Sequence, residues 1–154
     1  MNKPNPQPLV YACSGASSAA QMANHIAIRL DRLGVAEMSC IAGVGGEVKS
    51  LVRAARSGRP ILALDGCPLR CAARILARQA VRPTWHYDLS QHGVRKRLHQ
   101  DFDPAEAARM LSVVLACLGG AAMCPAPGLE SPARHHGEDE GAALVEDSTV
   151  PGAD

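Results

Sequence analysis

The chain has 154 residues, enough for one hydrophobic core of ordinary size and too few for two well-packed domains. Lys and Arg number 16 against 15 Asp and Glu, so a formal charge of +1 excludes an overall field that would gather nucleic-acid or membrane phosphates. Apolar residues make up 47%, but the aromatics are only Tyr11, Trp85, Tyr87 and Phe102, too thin a supply for base-stacking platforms, so a nucleic-acid module is not expected.

In chain order, Leu9-Val10-Tyr11-Ala12 reads as a short buried strand ending at Cys13. Ser18-Ala19-Ala20-Gln21 has the form of a capping box. Met22, Ile26, Leu30 and Leu33 then share one helical face, and Gly34 supplies a stop, so a helix is expected over 18–33. A strand is expected over 35–41, interrupted by Glu37 and Ser39, and Ala42-Gly43-Val44-Gly45-Gly46 reads as a turn. Val48, Leu51, Val52 and Ala55 form the apolar face of a second helix closed by Gly58.

Pro60-Ile61-Leu62-Ala63-Leu64 has the continuous apolar character of a strand buried on both faces, with Pro at its first residue. Pro68 is placed to open a third helix running to about Ala80, in which Leu69, Ala72, Ala73 and Leu76 face inward. A fourth strand is expected over 84–89, and Asp103-Pro104-Ala105-Glu106 caps a fourth helix that ends near Gly119. Residues 120–154 combine Pro, Gly and the acidic run Glu138-Asp139-Glu140 without periodicity, so they are expected to form a disordered tail, with His135-His136 given no role.

Alternating strands and helices imply an α/β fold: one doubly wound, mostly parallel sheet of about four strands with helices on both faces, Rossmann-like or flavodoxin-like, over residues 1–119. No apolar run has signal-peptide or bilayer-spanning length, so the expected location is the cytoplasm, with no membrane partner. Six cysteines in a reducing compartment suit metal ligation or thiol chemistry better than structural disulfides.

Cys40 follows Cys13 by 27 residues and Cys67 follows Cys40 by 27, close to one strand-helix unit, so each should occupy the same strand-end position in successive units. The ends of parallel strands share one edge, which makes Cys13, Cys40 and Cys67 candidate neighbours. Cys71, one turn into the expected third helix, would point back toward them. Four thiolates suit tetrahedral Zn²⁺, so Cys13, Cys40, Cys67 and Cys71 are the expected metal ligands, with Asp65 as an acceptor behind them or a general acid. Gly15, Gly43, Gly45, Gly46 and Gly66 would let the backbone approach the site and offer N–H donors to sulfur or to an anionic ligand.

Cys117, inside the last helix, reads as structural, and Cys124 as a bystander. His25, His86, His92 and His99 read as hydrogen-bonding residues, with a small stake on His86 or His92 as ligands. Ala42–Gly46 lacks the full dinucleotide pattern, and no Arg closes the loop after Cys13 as a cysteine-phosphatase anion loop requires. The rival reading is a thiol-based redox or transfer enzyme with Cys13 or Cys67 as nucleophile, Cys71 as resolving thiol and Asp65 assisting proton transfer.

Cys13-Ser14-Gly15-Ala16-Ser17, Cys40-Ile41-Ala42-Gly43-Val44-Gly45-Gly46 and Asp65-Gly66-Cys67-Pro68 with Cys71-Ala72 together resemble the DGC-domain family, named for its Asp-Gly-Cys triplet. The resemblance covers about residues 8 to 118, including the stretch from Gly93-Val94 to Asp101-Phe102, and leaves the tail outside. It implies a bacterial, cytosolic zinc-binding protein whose ligands are the same four cysteines, and it implies no particular reaction. Relatives with cysteines at the positions of Ala16 and Ile75 would hold a larger thiol cluster, which this chain reduces to four.

Overall fold

Four parallel strands, β1 (Leu9–Ala12), β2 (Glu37–Met38), β3 (Ile61–Asp65) and β4 (Trp85–Asp88), form one sheet in the order β2-β1-β3-β4. A computed structural model describes residues 7–120, which leaves the expected tail outside the described residues. The helices are α1 (Ser18–Arg32), α2 (Ile41–Gly45), α3 (Lys49–Ala55), α4 (Cys71–Arg78) and α5 (Pro104–Leu118), with a 3₁₀ turn over Leu89–His92. The expected doubly wound α/β fold is therefore present.

Alternation along the strands divides the core. Val10, Ala12, Leu62, Leu64 and Tyr87 pack against α1 and α5, while Leu9, Tyr11, Ile61 and Ala63 pack against Val44 of α2, Ala55 of α3 and Leu76 of α4. The chain leaves β1 toward one side and β3 toward the other, which makes the gap between the carboxyl ends of β1 and β3 the topological switch point. Cys13 follows one of these strands directly, and the Asp65-Gly66-Cys67 triplet closes the other.

Four local expectations need correction. Helix α1 begins at Ser18, but its cap is Ser17, whose hydroxyl accepts from the Ala20 N–H at 3.3 Å. The Ser18 hydroxyl accepts instead from the Arg97 N–H at 3.1 Å, in a loop the local pattern does not reveal. The strand expected over 35–41 shrinks to Glu37–Met38, an edge strand whose neighbour Ile41 is drawn into the next helix.

The glycine-rich segment read as a turn is helix α2, with Cys40 as its cap. At Gly43 an added Cβ would meet the Leu51 side chain of α3, and at Gly45 it would lie in ordinary contact with Ile75 of α4, so α2 packs closely on both helices. Finally, Pro68 does not open α4. Arg70 adopts a left-handed conformation, φ 50° and ψ 47°, and the Arg70 N–H donates to the Cys67 carbonyl at 3.0 Å, so residues 67–70 form a turn and helix begins at Cys71.

Candidate metal centre at the switch point

Asp65, the last residue of β3, is wholly buried. Its two carboxylate oxygens accept from the first free amides of α4, Ala72 N–H at 2.8 Å and Ala73 N–H at 3.2 Å, and one lies 2.9 Å from His86 Nε2 on β4. A helix start leaves such amides without partners, and a buried carboxylate satisfies them while meeting the positive end of the helix dipole. Asp65 thus does for α4 what a local cap does elsewhere, and it anchors Cys71 to the sheet.

Gly66 has no room for a side chain: a Cβ there would come within 2.5 Å of the Ala19 carbonyl group on α1. That close approach aims the Gly66 N–H at the Cys13 sulfur, 3.1 Å away. Cys13 is buried, and burial pushes its thiol up to about 12; the Gly66 hydrogen bond lowers it, and the nearby Asp65, Cys71 and Cys67 raise it further. Asp65, Cys71 and Cys67 are therefore close enough to act on Cys13 electrostatically.

Cys40 keeps company of a different kind. Its sulfur accepts from the Gly43 N–H at 3.4 Å, capping α2, and it lies near Tyr11, whose hydroxyl burial shifts upward. Both N–H donors to sulfur, Gly43 and Gly66, come from the expected glycines. All four thiols are free, with Cys40 and Cys71 exposed and Cys67 half-buried. Among the described residues, no three His, Cys, Asp or Glu side chains form a cluster that holds a metal. The donor chemistry suits zinc, and the open position of three of the thiols lets them turn about χ1.

Residues 9–114 match the DGC domain. The chain belongs to the DGC-domain family. It is also 62% identical over 106 residues to the anaerobic and virulence modulator AnvM of Pseudomonas aeruginosa, covering 69% of this chain and 81% of that protein. No solved structure matches.

The name-giving triplet of this DGC-domain protein has a physical reading, one task per residue. The aspartate caps α4 from the strand, the glycine lets α1 and β3 meet and turns its amide to Cys13, and the cysteine places a free, half-buried thiol just beyond the strand end. Behind them sit two residues that sequence reasoning did not single out.

Asp88 lies opposite Asp65 in the β3–β4 register; one of its oxygens binds Ser90, and the other has no hydrogen bond and faces Arg70 Nε at 3.8 Å. This buried carboxylate and Arg70 hold the strained turn between Cys67 and Cys71. Strands β3 and β4 both end in Asp, a parallel that could have flagged the pair.

Three histidines have partners among the described residues. His86 binds Asp65, His92 stacks on Tyr87, and His25 lies against Phe102, each pair of rings 5.1 Å apart between centroids. Cys117 is buried on α5 and is not one of the free thiols. No helix among the described residues is long and apolar enough to cross a membrane.

Proposed function

We propose that this DGC-domain protein binds Zn²⁺ through the thiolates of Cys13, Cys67 and Cys71, with Cys40 as the fourth ligand, Asp65 holding the ligand-bearing turn, and a structural or metal-handling role. The observation that supports the reading is the position of four free thiols at or just beyond the carboxyl ends of three adjacent strands, β2, β1 and β3. Two of the sulfurs already accept backbone N–H bonds, the interaction that stabilises thiolate over thiol once a cation is present. A dication also offsets the burial cost and, behind it, the repulsion from neighbouring groups that keep the Cys13 thiol protonated.

In protein purified without added metal, elemental analysis should find about one zinc per chain, and Cys67→Ser, at a half-exposed turn position, should lose it while staying folded. A wild-type chain that is folded, stable and free of metal overturns the reading. The competing thiol-enzyme reading needs a nucleophile with a lowered pKa. Burial drives Cys13 the other way, so that role would fall to Cys67 with Cys71 as resolving thiol. Rapid alkylation of Cys67 alone at neutral pH in metal-free protein would favour it. The relative is named for anaerobic modulation, and thiolates at an open edge are oxidisable groups, so an oxygen-responsive role is compatible with either reading.

A further inference from the structure

The formal charge of +1 hides a separation of charge along the chain. Residues 47–82 hold eight Lys and Arg against two acidic residues, a net of +6, whereas residues 83–119 balance at four and four. Residues 120–154 hold seven acidic residues and one Arg, a net of −6. The basic segment is α3, β3 and α4, and both helices cover the same face of the sheet.

Six cations of that segment, Lys49, Arg53, Arg56, Arg74, Arg78 and Arg82, are exposed, and no acidic side chain among the described residues forms an ion pair with any of them. Lys49, Arg53 and Arg56, with Glu47 the one acidic residue beside them, border an open depression of about 650 Å³ that reaches Gln79 at the end of α4. The Arg56 guanidinium donates to the Gln79 carbonyl and side chain, both at 3.1 Å, which ties the two helices into one surface. Arg74 and Arg78 lie one turn apart on the exposed side of α4.

We propose that the acidic segment around Glu138–Asp147 of this same chain docks on the basic face formed by α3 and α4. The segment Glu138–Asp147 carries five acidic residues and no basic one, opposite in sign to the six exposed cations of this face. The point of departure also fits: α5 ends against Pro8, Pro60 and Trp85, the edge where the strands begin, and the same edge receives Arg56 and Arg78 at the ends of their helices and Arg82 before β4.

Glu138 lies 18 residues beyond Gly120, and even a coiled chain of that length spans on the order of 20 Å. Exposed ion pairs are individually weak, so the contact depends on several of them and on the high effective concentration of a tethered partner. In this arrangement the basic face is shielded from external polyanions, and the docked state is sensitive to salt.

The test uses the full chain at low ionic strength and follows backbone amide resonances. Wild type is compared with a variant carrying Glu138→Gln, Asp139→Asn and Glu140→Gln. Amides of α3 and α4 should shift in the variant, and wild type in about 0.5 M NaCl, where the screening length is a few ångström, should shift the same way. Amides of α1 and α5 should stay in place. Identical α3 and α4 spectra for the two proteins at low salt overturn the proposal. So does a short DNA duplex that shifts those amides equally in both proteins, because the face would then be open to an outside polyanion.

Discussion

The β3–α4 junction and the β2–α2 junction each present a cysteine at the same edge of the sheet, yet they are built to different tolerances. At β3–α4 a wholly buried carboxylate, a glycine pressed against the backbone of α1 and a left-handed Arg70 leave the chain one path from strand to helix. At β2–α2 the strand is two residues long, Cys40 is exposed, and its sulfur caps the helix unaided. Equal spacing in sequence thus produced equal position without equal rigidity. The first junction is fixed by contacts from other elements; the second holds its cysteine by its own turn, and only α2 beyond it packs on α3 and α4.

Substitutions on the two sides put this comparison at risk. The largest effect is expected for Asp65→Ala, which strands two helix amides and His86 in the interior and should lower unfolding stability in urea by roughly 3–5 kcal/mol. Gly66→Ala should follow, at about 3 kcal/mol, because the new methyl meets backbone that cannot step aside.

Metal-free protein should also lose stability at high pH, by up to about 1.4 kcal/mol per unit, as a result of Cys13. Its folded pKa, about 12, lies above the ordinary 9.0, so the folded state holds a proton that the unfolded state releases. The contribution is complete below about pH 9 and is lost as pH rises toward 12; a Cys13→Ala variant should show a flatter pH profile in this window.

Gly43→Ala should cost least, under about 1 kcal/mol. A Cβ there meets the Leu51 side chain at 2.1 Å, and that flexible end can rotate away. If Gly43→Ala destabilises the protein as much as Gly66→Ala, the two junctions are equally rigid and the comparison fails.

The sequence alone determined the order of the four strands and of α1, α3, α4 and α5, the parallel doubly wound class and the shared edge of the cysteines, because burial periodicity, helix stops and the 27-residue interval are local or one-dimensional signals. Elements held mainly from afar were not legible. The expected turn at Ala42–Gly46 is a helix because its glycines fit against α3 and α4, and the expected helix start at Pro68 moved to Cys71 because Asp65 supplies the cap from a strand six residues earlier. The grouping of Cys13 with Cys67 and Cys71, and the separate setting of Cys40 beside Tyr11, were also decided in three dimensions. Spacing assigns a residue to an edge, but only the packing of helices over that edge determines which sulfurs are buried, which are hydrogen-bonded and which remain free to turn.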